Sequence, residues 1–357
     1  MDTDTRGSLW AILLYDVAEQ IQLEALRSIL GSPPSAREPR FKNAPEYVRF
    51  ENPPLEQSVE APTLASGERL QARIKYFDYG VLAVELELTF ETSWKNLIER
   101  SSRWIGSAEV EKLAGSLARK HAESARAAFT QPYAEWVSED YYIIHLCSAP
   151  LDAPALLAKR GGDIVQLLRG ETRPLAAREI EEALNASLSY YPGDLLVVGW
   201  AAALIYDTPE GAAPAIQLLE YANAQLLEFR YYDNLLTKVL AGVYRSLGRR
   251  GLLRRWRMAR EAGRLNQIRL DITELTERID NAIKFLGDMF YTRAYRMAAA
   301  RIGVEDYRKL VDEKLRTAGD LYQFMMDEFY QARAFVMEFM ILIILIIELV
   351  YLFRGKS

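Results

Sequence analysis

The chain has 357 residues, with 44 lysines and arginines against 49 aspartates and glutamates, a formal net charge of -5. That balance excludes a general nucleic-acid binder, which needs a basic surface, and an apolar content of 50% excludes a disordered chain. One cysteine, Cys147, rules out an intramolecular disulfide and any multi-cysteine metal site, and two histidines, His121 and His145, leave little for zinc chemistry.

Leu9 to Tyr15 (LWAILLY) reads as a buried strand. It is too short for a signal segment, and Asp16 and Glu19 follow at once. Apolar residues at Ile21, Leu23, Leu26, Ile29 and Leu30 predict a helix over 19–30, closed by Gly31. Residues 32–45 read as a proline-containing basic loop and Tyr47 to Phe50 as a short strand. Residues 52–67, with Pro53, Pro54 and Pro62, read as a connecting loop. Leu70, Ala72, Ile74 and Tyr76 alternate with Gln71, Arg73 and Lys75; Val84, Leu86, Leu88 and Phe90 alternate with Glu85, Glu87 and Thr89. A period of two predicts half-buried antiparallel strands, with Gly80 available for a turn or bulge between them.

Two helices are expected over 93–104 and 107–129, then a strand over 136–147 with Val137, Tyr141, Ile143, His145 and Cys147 on one face. Residues 150–168 suggest short helices around Gly161 and Gly162, and 174–188 a helix with Pro174 in its first turn. Asp194 to Tyr206 (DLLVVGWAAALIY) suits a central strand, although its thirteen residues leave a helix open. Thr208-Pro209-Glu210 starts a helix that should run to about Leu247 and stop at Gly248. This alternation predicts an α+β fold with a mixed or antiparallel sheet over 1–207. Similar strand–helix openings at Leu9 and near Trp136 suggest two ferredoxin-like halves as one arrangement.

Residues 208–270 read as a helical extension with a basic joint. Arg249, Arg250, Arg254, Arg255, Arg257 and Arg260 form its centre, flanked by Arg245, Arg264 and Arg269. Three readings stand: a solvated helix end, contact with an anionic membrane surface, and contact with the phosphates of RNA or a ribosome. Residues 271–334 show near-heptad apolar spacing broken at Gly303. Leu275, Ile279, Ile283 and Leu286 lead on one side, and Tyr307, Val311, Leu315 and Ala318 on the other. An antiparallel coiled-coil hairpin is expected, offering a surface for homo-oligomers.

Residues 335–353 (FVMEFMILIILIIELVYLF) are nineteen residues charged only at Glu338 and Glu348. At about 1.5 Å per residue they span roughly 28 Å, close to a hydrocarbon core of about 30 Å. A carboxylate at mid-membrane costs about 2.5–3.5 kcal/mol, whereas each Leu, Ile, Phe or Val returns about 0.3–0.6 kcal/mol, so insertion is favoured. Tyr330, Tyr351, Arg354 and Lys356 suit the interfaces. The competing reading is a buried core or oligomer helix. Glu348 is the candidate intramembrane contact. The arrangement reads as a single-pass tail anchor with the large domain cytoplasmic, or matrix-facing in an organelle.

No residue stands out as catalytic, cofactor-binding or metal-ligating, and no cofactor or specific small molecule is inferred. His145 and Cys147 share a strand face near Asp140, but residues two apart on a strand do not normally meet the geometry of a nucleophile and its base. Gly161-Gly162-Asp163 lacks the spacing of a phosphate loop.

The turn Phe77-Asp78-Tyr79-Gly80-Val81, the helical middle, the coiled coil and the terminal Ile346-Ile347-Glu348-Leu349-Val350 together resemble the family named for "required for meiotic nuclear division". The chain departs from it at Ala83, Val84 and Glu85, where the family has an aromatic pair, and in the helical insert before Trp136. The resemblance implies a membrane-anchored protein without established enzymatic activity. For mitochondrial members it implies tethering of the translation machinery to the inner membrane. The expected function is therefore a non-enzymatic scaffold that recruits a protein or ribonucleoprotein partner, such as a ribosome, to the membrane. The alternative is a membrane-anchored enzyme whose active site in the α+β domain carries no recognisable motif.

Overall fold

The structure is a computed structural model and describes residues 5–31, 53–147, 151–247, 263–270, 272–273 and 289–354. The chain divides into two compact units, Met1–Tyr231 with Thr276–Arg308 and Tyr232–Leu275 with Lys309–Ser357.

The first unit is built on an eight-stranded mixed sheet of order β2-β3-β4-β1-β5-β8-β7-β6. The strands are β1 (Thr5–Ile21), β2 (Leu55–Val59), β3 (Gln71–Tyr76), β4 (Val81–Thr92), β5 (Phe129–Cys147), β6 (Ser187–Leu188), β7 (Leu195–Val198) and β8 (Ala202–Tyr206). Helices α1 (Leu23–Leu30), α2 (Trp94–Trp104), α3 (Ala108–Ala125), α4 (Ala153–Arg169) and α5 (Ala177–Leu184) lie between them in the chain. β1 pairs antiparallel with β4 on one side and β5 on the other, and β5 pairs parallel with β8. The two openings at Leu9 and Trp136 are therefore neighbours in one continuous sheet. Leu9 to Leu14 is buried throughout, as a central strand covered on both faces requires.

Leu9, Ala11, Leu13, Ile74, Tyr76, Val84, Leu86 and Ile144 form the core on one face with Leu97 and Trp104 of α2, Ala114 and Ala118 of α3 and Ile164 of α4. The other face meets the first part of α6 (Pro209–Leu247), where Lys75 of β3 bonds Glu220 and the Phe77 ring contacts that of Tyr221. Fourteen consecutive residues, Ile216 to Phe229, are buried. A helix buried all round needs partners beyond the sheet, and α7 (Met289–Ile302) supplies one through a hydrogen bond from Tyr295 to Gln225.

Several expectations change. Residues 52–67 contain the edge strand β2, which needs ladder partners on one side only, so Pro53 and Pro54 can precede it closely. Residues 19–21 belong to β1, and the first helix starts at Leu23. α4 runs unbroken through Gly161 and Gly162. A Cβ on Gly161 would lie 3.0 Å from Leu184 Cδ1, so the glycine lets α5 approach closely. The run from Asp194 to Tyr206 is the hairpin of β7 and β8 rather than one strand or a helix, turned where the Gly199 N–H donates to the Ala202 carbonyl at 2.8 Å. The helix expected over 174–188 is shorter, and Ser187 and Leu188 join the sheet.

In the second unit, Lys314 of α8 (Val304–Arg354) donates to Asp233 Oδ1 at 2.5 Å and to Thr237 Oγ1 at 2.6 Å on α6. Gly303, at φ +98°, separates α7 from α8 as the broken pattern predicts. Leu275, Ile279, Ile283 and Leu286, which carry the first arm of the expected coiled coil, lie outside the described residues. α8 has 51 residues.

Candidate functional site

The turn between β3 and β4 organises the site. The Gly80 N–H donates to the Phe77 carbonyl, and the Phe77 N–H donates to that of Val81 at 2.9 Å. Gly80 sits at φ +99°, and a Cβ there would lie 1.8 Å from the Ala18 carbonyl oxygen. Only glycine combines that conformation with that approach. The turn docks on β1 where its register with β5 shifts between Asp16 and Ala18: the Val17 N–H donates to the Gly80 carbonyl at 3.1 Å and the Ile21 N–H to that of Asp78 at 3.0 Å.

Beside this turn, Lys75 gathers three carboxyl groups. Its Nζ lies 2.6 Å from Glu220 Oε2, 2.7 Å from Glu85 Oε1 and 3.5 Å from Glu56 Oε1. Glu85 also accepts from Arg73 Nε at 2.8 Å, and the Arg73 guanidinium lies over the Trp10 ring at 4.8 Å. Glu220 is 0% exposed, Glu85 1% and Lys75 6%, so bulk water does not screen them. Burial alone disfavours the charged form of each group. For Lys75 the three glutamates outweigh burial and hold the ammonium above its usual range. For Glu85, burial is outweighed by Lys75 and Arg73 together, and its carboxyl falls below the usual range. Glu220 has Lys75 without Arg73. Burial wins there and pushes it up to about 8.

A second buried pair joins Asp16 of β1 and Glu228 further along α6. Burial raises Asp16 well above the usual carboxyl range, and burial together with the Asp16 charge raises Glu228. Asp16 Oδ2, Glu220 Oε1, Asn223 Oδ1 and Glu228 Oε1 find no hydrogen-bond partner among the described residues. Unmet buried acceptors of this kind cost stability. Chemically, the arrangement is a titratable clamp between the sheet and α6. Lys75, Glu85 and Glu220 are sealed from solutes, while Glu56 and Arg73 at its rim are partly exposed.

His145 and Cys147 come closer than their spacing suggests, with Sγ 4.0 Å from Nδ1 and 3.9 Å from Nε2. Burial raises the Cys147 thiol, aided by Glu87 and Glu210, the opposite of what a nucleophile needs. Nε2 of His145 lies 3.1 Å from the Asp207 carbonyl oxygen, and burial lowers the imidazole's basicity. Both fit a structural role.

A cavity of about 50 Å³, enough for a few waters, opens away from the ion network. Tyr190, Tyr191, Asp194, Asp207, Phe290 and Tyr291 line it.

Of the residues singled out in the sequence, Arg249, Arg250, Arg254, Arg255, Arg257 and Arg260 lie outside the described residues. Glu348 is exposed on α8, within the segment Ala334–Leu352. That segment of nineteen residues is long and apolar enough to cross a membrane, and 0% of it is buried among the described residues. Lys75, Glu85, Glu220, Asp16 and Glu228 were not among the sequence candidates. The available signal was the segment from Ile216 to Phe229, where single polar residues interrupt an otherwise apolar helix.

A family model described as "Uncharacterized protein MJ0711, N-terminal domain" matches residues 6–213. Uncharacterized protein MJ0711 of Methanocaldococcus jannaschii is 20% identical over 209 residues, which cover 58% of this chain and 64% of that protein. The match thus spans just under two thirds of the relative's length. No solved structure matches the chain. The matched residues contain every strand described here apart from Thr5 at the start of β1, include Lys75 and Glu85, and end before Glu220. The chain therefore belongs to the family of the MJ0711 N-terminal domain.

Proposed function

We propose that this protein is a non-enzymatic, single-pass membrane scaffold that holds its α+β unit beside the bilayer and recruits an anionic protein or ribonucleoprotein partner there. One observation carries the reading: the apolar segment Ala334–Leu352 has its side chains open around the whole helix. In water that surface would drive aggregation, whereas hydrocarbon is its matching solvent. The folded unit stands on the cytoplasmic side, or the matrix side of an organelle. The single free cysteine, Cys147, suits a reducing compartment.

The arginines at 249, 250, 254, 255, 257 and 260 supply the recruiting surface. The hairpin arms around Gly303, paired as a coiled coil, and Glu348 in the anchor supply self-association. The tethering role implied by the resemblance to the meiotic-nuclear-division family belongs to the same reading.

The test is purification of the full chain from membranes in mild detergent, with identification of what copurifies. A triple variant, Arg254→Glu, Arg255→Glu and Arg257→Glu, should keep its membrane fraction and lose the partner. A partner retained unchanged at physiological salt counts against recruitment through this cluster.

A further inference from the structure

Helix α8 carries two lines of residues at seven-residue intervals, the spacing by which one helix packs along another. On the first, Val304, Val311, Ala318 and Met325 are all buried. The second lies one residue earlier. Its large apolar members upstream of the anchor, Leu310 and Phe324, are 45% and 50% exposed. The first line is therefore used within the chain, and the second stands open.

Carried on by the same step, the open line passes Glu338 and reaches Leu345 and Leu352 in the segment Ala334–Leu352. The four leucines of that segment, Leu342, Leu345, Leu349 and Leu352, stand three, four and three residues apart. At about 3.6 residues per turn, all four fall within a strip of about 80° around the helix. Ile343, Ile344, Ile346 and Ile347 fall outside it. Glu338 lies on the axis of the strip and Glu348 beside its edge, so the segment's two carboxyls keep to the leucine side.

Hydrocarbon suits an apolar side chain on any face of a helix, so lipid alone gives no reason for a strip. Close packing against a second helix does, and a carboxyl in the span is also better placed beside protein than in lipid. We propose that this strip is where the anchors of two copies of the chain pack side by side. The inference rests on the single-pass reading above: two copies inserted in the same direction stand parallel and bring the same residues level. Each copy then meets the other's leucines with its own at the same depth. The exposed Phe324 and Leu310 upstream stand on the line that continues this seam. A second copy thus supplies every feature the strip asks of a partner.

The test is oxidative cross-linking of the full chain in native membranes with copper phenanthroline. Leu342→Cys, Leu345→Cys and Leu349→Cys probe the strip, and Ile343→Cys, Ile344→Cys and Ile347→Cys probe the other side. The unsubstituted chain, whose one cysteine is Cys147, sets the background. Each variant is also scored for its share in the carbonate-washed pellet. The strip positions should yield about fivefold or more covalent dimer over the isoleucine positions. Leu342→Ala with Leu349→Ala should lower the yield through Leu345→Cys about fivefold. Ile343→Ala with Ile347→Ala, an equal loss of apolar bulk, should leave it unchanged. A chain that sits in the pellet but gives no dimer overturns the pairing and leaves the membrane reading standing. So does an equal yield from both sides, or a strip cysteine that bonds a different protein in place of its copy. A chain missing from the pellet overturns the membrane reading and the pairing with it.

Discussion

Between the sheet and α6, the charged side chains of Lys75, Glu85 and Glu220 are shut away from water, while along Ala334–Leu352 large apolar side chains stand open. The two regions depart in opposite directions from the usual sorting of residues, and for different reasons. The buried groups are tolerated because Glu85 and Glu220 find Lys75 at 2.7 Å and 2.6 Å, and at Glu220 burial outweighs that contact and raises the carboxyl. That solution is internal to the chain. The apolar helix finds no such cover among the described residues.

The largest expected effect tests the second region. Ile343→Lys with Ile344→Lys places two ammonium groups near the middle of the segment, at a cost of about 5–7 kcal/mol for the pair. That offsets most or all of the apolar gain, and the double variant should move from the carbonate-washed membrane pellet to the supernatant or to aggregates. The next tests the first region. Lys75→Met removes the shared ammonium and should cost about 3–5 kcal/mol in urea denaturation, because the carboxyls are left uncompensated. Adding Glu220→Leu to that variant should restore part of the loss, since an apolar replacement of the pair is far cheaper than breaking it. Gly80→Ala forces a side chain into φ +99° and against the Ala18 carbonyl, with an expected loss of about 1–3 kcal/mol.

The last test, the most diagnostic of the clamp, reads a slope against pH rather than a single loss of stability. With its folded pKa raised from 4.5 to about 8, Glu220 holds a proton in the folded state that the unfolded chain has released. Its contribution to stability is full below about pH 4.5 and is lost as the pH rises to about 8. Asp16 and Glu228, raised by burial, act with the same sign. Glu85, lowered, acts oppositely and loses its contribution as the pH falls through its folded pKa, below 4.5. Glu220→Gln should leave Tm nearly unchanged at pH 5 and flatten its decline between pH 5 and 8. A slope identical to that of the unsubstituted chain would remove Glu220 from the clamp.

Much of the sheet was legible because its alternation is local. β3 follows the period of two over Gln71–Ile74, and β4 follows it over Leu86–Glu91. The misreading lay on their second face, where Arg73, Lys75 and Glu85 look like a solvated row. What covers that face is α6, and Glu220 is 145 residues from Lys75. No window of the sequence around β3 contains that information. The hairpin in Asp194–Tyr206 was hidden because Gly199 is one small residue in a continuous apolar run. Gly161 and Gly162 hid the continuity of α4 for the converse reason, since tertiary packing against α5 overrides their helix-breaking tendency. The aromatic cavity left no local trace, because Tyr190 and Phe290 meet from positions a hundred residues apart. The apolar helix was legible because length and composition alone define it.

The most direct test of membrane residence is density-gradient flotation of the full chain with native membranes after an alkaline carbonate wash, beside a chain lacking 335–353. The full chain should rise with the lipid and the shortened chain should stay at the bottom as a soluble species. A full chain that remains in the detergent-free supernatant as a single monodisperse species would contradict the membrane reading and the scaffold function built on it.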